Sequence, residues 1–227
     1  SKKVQKNKFG ACLMKEPNLV GECVNEMVNA TSLPITVKTR IGFDDIEDYE
    51  YLKKFITIIK NAGAKTFIIH ARKAILTKLT PKQNLSIPPL NYNFVYRIKK
   101  DFPYLKIIIN GGVNNIESVK KHLNLVDGVM IGREIYKNPF FLREIEKEIF
   151  GDNHETTRKN ILCNLIPYIE KEMQKNNASI QSITRHTFGL FTGMKGSKEW
   201  KRYLNKIKFM KGSVKNIILN GIQNINE

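Results

Sequence analysis

The chain has 227 residues, 41% of them hydrophobic, and its 38 lysines and arginines outnumber 21 aspartates and glutamates, for a formal charge of +17 at neutral pH. That apolar content at that length supports a real core, which excludes a disordered chain, and no apolar run approaches the ~20 residues needed to span a bilayer. So large a positive excess favours an anionic partner, and nucleic acid over a small acid. Cys12, Cys23 and Cys163 stand isolated, without metal-ligand spacing, so the expectation is a reducing compartment with neither zinc nor an iron–sulfur cluster. Ser1 does not open a signal peptide, and a soluble, cytoplasmic protein is expected.

In chain order, the polar, basic residues 1–7 precede a predicted helix, Pro17 to Ala30, with Leu19, Val20, Cys23, Val24 and Met27 at helical spacing. LPITVKTRIG then reads as a strand. Ile35, Val37 and Thr39 point one way and Thr36, Lys38 and Arg40 the other. In a parallel barrel covered by helices, the second set faces the interior or its mouth, which marks Lys38 and Arg40 as a site signal. Asp44 and Asp45 are expected to cap the next helix, with Glu47 and Asp48 in its first turn and Tyr49, Leu52, Phe55, Ile56 and Ile59 on its buried face, and with Gly63 ending it.

KTFIIHAR is a second strand, on which Ile68, His70 and Arg72 share one parity, so that His70 repeats the position of Lys38 near a strand end. The long segment 73–90, with Lys73, Lys78 and Lys82 and the breakers Pro81, Pro88 and Pro89, reads as an ordered recognition loop. A helix from Tyr92 to Phe102 leads to the stretch that organises the chain. There the β-branched run Ile107, Ile108, Ile109 ends in Asn110-Gly111-Gly112, and a second short strand ends in Gly132-Arg133. Glycines allow close backbone approach, Asn110 offers amide donors, and Arg133 supplies a fork of N–H groups suited to phosphate oxygens. In (β/α) barrels the loops after the last strands commonly hold a phosphate, here read as that of a cofactor. Asn114 or Asn115 caps the helix between these strands, and Asn138-Pro139 reads as N-cap and first residue of a helix running to Phe150.

Four strand–helix units with polar or glycine ends make half of an eight-fold barrel. The predicted fold is α/β: the C-terminal half of a (β/α)8 TIM barrel over 1–150, followed by a small all-helical domain over 151–227. In the tail, residues 156–174 and 179–222 read as helices broken near Asn176, Gly193, Gly196 and Gly212. Trp200, Tyr203, Leu204 and Ile207 form an apolar stripe, while Lys195, Lys198, Lys201, Arg202, Lys206, Lys208, Lys211 and Lys215 face a single acid, Glu199. Such a face binds nucleic acid through phosphate neutralisation, without reading sequence.

The runs VKTRIG, FIIHARKA, INGG, GVMIGRE with YKNP behind it, and TRHTFGLFTGMKG, together with SKKVQ, FGACLM and PPLNY, resemble the flavin-dependent tRNA-dihydrouridine synthases. The likeness is greatest to those that modify uridines 20 and 20a of the D-loop. The resemblance implies FMN as cofactor, NADPH as reductant and reduction of the C5–C6 double bond of a tRNA uridine. By motif, Lys38 would contact the flavin ring, His70 would lie beside it, and Asn110, Gly111, Gly112, Gly132 and Arg133 would hold the FMN phosphate. Arg72 would approach the target base, with Lys82, Arg185, Lys201 and Arg202 on the tRNA. The family's acid is a cysteine in an N-C-P-S type segment, and SKKVQ resembles what immediately follows it in the family. The cysteine is thus expected two residues before Ser1, no catalytic residue is expected within this chain, and the chain alone is expected to be inactive. Two alternatives stay open on the residues alone: a phosphate-binding isomerase or aldolase with Lys38 as a Schiff-base lysine, and a non-catalytic tRNA-binding module.

Overall fold

The computed structural model describes residues 7, 9–76, 79–223 and 225, so SKKVQ and Lys78 lie outside the described residues. The chain divides into two compact units, Ser1–Ile131 and Gly132–Glu227. In the first, a 3-10 turn (Gly10–Lys15) and helix α1 (Pro17–Ala30) precede β1 (Thr36–Arg40), α2 (Tyr49–Asn61), β2 (Thr66–His70), α3 (Tyr92–Asp101), β3 (Lys106–Asn110), α4 (Ile116–Leu123) and β4 (Gly128–Met130). The strands form one sheet in sequence order, and every pair is parallel. Parallel neighbours need a crossover, and each crossover here contains a helix.

Alternation sorts the two faces of this sheet. Phe67 and Ile69 on β2, and Ile107 and Ile109 on β3, are fully buried, joined in one core by Leu52, Phe55, Ile56 and Ile59 of α2 and Val95 and Ile98 of α3. Each such side chain contributes about 1.5–3 kcal/mol through removal from water. Helix α1 crosses α2 closely at Gly21, where a Cβ would come 3.1 Å from Ile58 Cγ2. Of the apolar stripe expected on α1, only Val24 is buried, while Leu19 and Met27 are each 46% exposed. The stripe is divided because its other half faces an apolar groove of about 850 Å³ along β1, lined by Phe9, Leu19, Cys23, Met27, Val37 and Leu76.

One helix start in this unit differs from expectation, and there a longer-range contact overrides the local signature. Asp48, not Asp44 or Asp45, caps α2, its carboxylate accepting from Glu50 N and Tyr51 N at 3.2 Å. Asp44 is taken up elsewhere: it sits at φ +46° and accepts from Leu76 N at 2.7 Å. Asn115 caps α4 as the pattern predicts, accepting from Ser118 N at 2.8 Å, and Gly63 follows α2 at φ +108°.

The second unit contains α5 (Arg133–Lys137), α6 (Phe141–Phe150), α7 (Arg158–Asn176), α8 (Ile180–Thr184), α9 (Ser197–Lys206) and α10 (Val214–Ile222). The helix expected from Asn138-Pro139 to Phe150 is α6, which starts two residues late: the carbonyls of Asn138 and Pro139 accept from Phe141 N and Leu142 N in a turn that leads into it. Helix α5 belongs with the helices C-terminal to it, because Lys137 O accepts from Thr192 Oγ1 at 2.9 Å and a Cβ on Gly189 would come 2.2 Å from that same oxygen. Trp200 is fully buried at the centre of this unit, with Leu162, Ile169, Phe191, Leu204 and Ile218 around it and its indole N–H donating to Thr187 O at 3.1 Å.

Candidate active site

The register of the sheet brings the polar strand ends into one row. Arg40 pairs with His70, His70 with Asn110, and Asn110 with Met130, while Lys38 lies one step back opposite Ile68. With a side-chain period of two, Lys38, Arg40, His70 and Asn110 share one face. Asn110 ties this row together. Its Oδ1 accepts from Lys38 Nζ at 3.0 Å, its Nδ2 donates to Met130 O at 2.8 Å, and its carbonyl accepts from Ala71 N at 2.9 Å. One residue of β3 thereby links the ends of all four strands.

A cavity of about 530 Å³ lies against this row, lined by Lys38, Arg40, His70 and Asn110 among apolar neighbours such as Val37 and Leu85. No carboxylate stands among the described residues that line it, so the positive charge there is not neutralised from within. The Lys38 ammonium is held below its ordinary pKa, first by desolvation and second by the neighbouring Arg40 cation. Arg40 is lowered in turn by desolvation and then by Arg72. Such a crowd of partly desolvated cations disfavours its own charge and favours an anionic or electron-rich ligand.

The glycines after β3 are required by the protein itself. Gly111 and Gly112 have φ of +124° and +72°, a region L side chains rarely enter, and Cβ atoms there would lie 2.8 Å from His70 Cδ2 and 2.7 Å from Leu90 Cδ1. The His70 imidazole, only 7% exposed, thus packs on the turn. Gly132 differs, since a Cβ there would meet nothing within 4 Å.

The described parts of segment 73–90, which are 73–76 and 79–90, are held from the strand ends through contacts absent from the sequence pattern. Arg40 Nη1 donates to Lys73 O at 2.9 Å and Asn84 O at 3.1 Å, and Arg72 Nη1 donates to Ser86 O at 3.2 Å and to Pro88 O. Asn84 mimics backbone, accepting from Ile75 N at 2.7 Å and donating to Ile75 O at 2.8 Å. Lys82 is exposed on this loop. Tyr92, just after it, donates to Gly111 O at 2.7 Å. Only the composition around Tyr92, a polar aromatic behind Pro88-Pro89, signals it in advance.

The remaining candidates belong to the second unit. Gly132 precedes α5 and Arg133 is its exposed first residue. Arg185 is exposed, its Nε donating to His186 Nε2 at 3.3 Å. On α9 the apolar stripe buries Trp200 and Leu204, so Lys198, Lys201, Arg202 and Lys206 are exposed by helical periodicity.

A model of the dihydrouridine synthase family matches residues 1–226. The chain belongs to the dihydrouridine synthase family. Three similar relatives each bear the name tRNA-dihydrouridine(20/20a) synthase. That of Vibrio cholerae is 48% identical over 208 residues, 91% of this chain and 63% of that protein. That of Salmonella typhi is 48% identical over 208 residues, 91% of this chain and 62% of that protein. That of Escherichia coli K12 is 45% identical over 220 residues, 96% of this chain and 64% of that protein. The chain thus spans less than two thirds of the length of these dihydrouridine synthases. Among its described residues no helix is long and apolar enough to cross a membrane.

Proposed function

We propose that this chain forms the flavin-binding strand ends and a tRNA-binding surface of a cytoplasmic tRNA-dihydrouridine synthase. The activity is an FMN-dependent reduction of the C5–C6 double bond of a D-loop uridine, with NADPH as reductant. The observation that carries this reading is the Lys38–Asn110 contact of 3.0 Å, an oriented, partly desolvated cation on the wall of a cavity of about 530 Å³.

The donor set fits FMN. When bound, FMN supplies the hydride for C6 of the uracil ring. Lys38 would face the electron-rich edge of the isoalloxazine ring, its ammonium held in place by Asn110. His70 would border the ring, with its imidazole packed on the turn at Gly111. Gly111 and Gly112 after β3, and Gly132 with Arg133 after β4, are assigned to the phosphate. Arg133 brings the guanidinium fork that phosphate oxygens accept from.

On the substrate side, the uridine has to leave its stack to be reduced. Arg72 is assigned to the target base and Lys82, Arg185, Lys201 and Arg202 to the tRNA backbone. The proton for C5 is assigned to none of the 227 residues, so the chain alone is expected to be inactive. In fold terms we read the four parallel strands as half of a (β/α)8 barrel and residues 151–227 as a helical tRNA-binding domain. A lowered lysine pKa would also suit the Schiff-base alternative, but family membership favours the synthase over it.

The test is to map dihydrouridine in tRNA from cells lacking the gene. Loss of dihydrouridine from the D-loop, restored by the wild-type gene and at least tenfold less by Lys38→Ala, is the expected result. Unchanged dihydrouridine after deletion overturns the reading, and full restoration by Lys38→Ala points to a non-catalytic role.

A further inference from the structure

The turn after β3 is gripped from behind by a cluster of rings with no part in the assignments above. Tyr92 Oη donates to Gly111 O at 2.7 Å, and a Cβ on Gly112 would lie 2.9 Å from that same hydroxyl. The Tyr92 ring meets the His122 ring edge-on, with centroids 4.6 Å apart. His122, only 3% exposed, is bonded through Nδ1 to Tyr96 Oη at 2.8 Å, which fixes its ring plane. Tyr96 and Tyr92 lie one turn apart on α3, and their rings stand 6.5 Å apart. Three rings on α3 and α4 thus deliver one hydroxyl to one carbonyl.

That carbonyl belongs to the peptide between two glycines. Because a trans peptide is planar, its C=O and N–H point in opposite directions, so a hydroxyl that holds Gly111 O also fixes where Gly112 N–H points. Glycines on both sides offer little steric resistance to a flip of this unit. A flip exchanges donor for acceptor, turning a carbonyl oxygen toward whatever the N–H had faced. For a turn that binds an anion, this reverses attraction into repulsion.

We propose that Tyr92 is a positioning residue: its hydroxyl, backed by His122 and Tyr96, locks the Gly111–Gly112 peptide in the orientation that takes up the phosphate of the ligand. This rests on the assignment of the turn to the FMN phosphate. Tyr92→Phe keeps the ring and its packing and removes only the hydroxyl. The readout is therefore the affinity for FMN relative to riboflavin, which lacks the phosphate, together with hydrogen exchange at the Gly112 amide.

If the lock operates, Tyr92→Phe weakens FMN binding about three- to tenfold, leaves riboflavin binding unchanged, and accelerates Gly112 exchange. An unchanged FMN-to-riboflavin ratio in Tyr92→Phe, when the wild type prefers FMN, overturns the lock. Unchanged Gly112 exchange overturns it as well. A wild type that binds the two flavins equally overturns the phosphate assignment itself and the lock with it. A merely structural loss would weaken both flavins together and likewise counts against the proposal.

Discussion

The strand ends of the first unit and the helix α9 face of the second are both rich in cations, but they hold them differently. At the strand ends each cation is committed: Lys38 to Asn110, Arg40 to Lys73 O and Asn84 O, Arg72 to Ser86 O and Pro88 O. On α9, Lys198, Lys201, Arg202 and Lys206 are exposed. Committed, partly desolvated cations have lost their freedom before a ligand arrives and so suit one ligand in one pose. Exposed lysines on long stems keep theirs, and suit a polyanion that need only lie nearby. The first region is thus built for geometry and the second for field.

The largest effect expected from breaking this contrast is at Asn110. Asn110→Leu removes the amide that bonds Lys38 Nζ and Met130 O while keeping similar volume. Losing one charge-assisted and one neutral hydrogen bond, with Lys38 still partly open to water, should cost about 1.4–2.8 kcal/mol in flavin binding, roughly ten- to a hundredfold. The measurement is flavin retained on purification, with circular dichroism confirming an intact fold. Full retention would mean that Lys38 needs no orientation and that the strand ends act as a field too.

The range of each contact decides how much of this was legible in sequence. The row of Lys38, His70 and Asn110 was readable, because β-branched runs announce strands and a period of two assigns their faces. The ties between these residues were harder to see. In sequence Arg40 and Arg72 show only as cations at strand ends; that their Nη1 atoms also hold carbonyls of the following loop, up to 44 residues away, is not visible there. Asp44 and Asp48 are equivalent as local caps, and only the contact to Leu76 N, 32 residues on, makes Asp44 a loop anchor. Tyr92 has only the composition behind Pro88-Pro89 to signal it and His122 has no local signature, since their role exists only once α3 and α4 are packed. Asn138-Pro139 is the opposite case, a local signature that does precede a helix to Phe150, but through one tight turn that delays its start by two residues.

An intermediate effect is expected on α9, and it should be of a different kind. Replacing Lys198, Lys201 and Arg202 together by alanine should lower tRNA affinity and reduce the slope of log K against log salt by about 2–3, close to one per cation. Flavin retention should be unchanged. Filter-binding titrations over a range of salt concentrations measure this slope. An identical slope would show that the face meets water and not phosphate, and the division between geometry and field would reduce to the strand ends alone.

The smallest effect separates the two regions by pH. His122 is held below the ordinary histidine pKa, first by burial and second by the nearby Lys121 cation. A group whose folded pKa is depressed binds fewer protons in the folded state than in the unfolded one, so stability rises with pH across the interval between the two values. The contribution of His122 is therefore fully present above about pH 6.5, the unfolded value, and is lost as the pH falls below it. The urea midpoint of the chain should stay level from pH 8 to pH 7 and decline on further acidification, and His122→Gln should be less stable throughout but with a shallower decline. Because protonated His122 would press a charge against the Tyr92 and Tyr96 rings, the protection of the Gly112 amide, taken relative to its intrinsic exchange rate at each pH, should fall over the same acid interval. A decline as steep in His122→Gln as in the wild type would move the acid sensitivity to other groups and leave the ring cluster as packing alone.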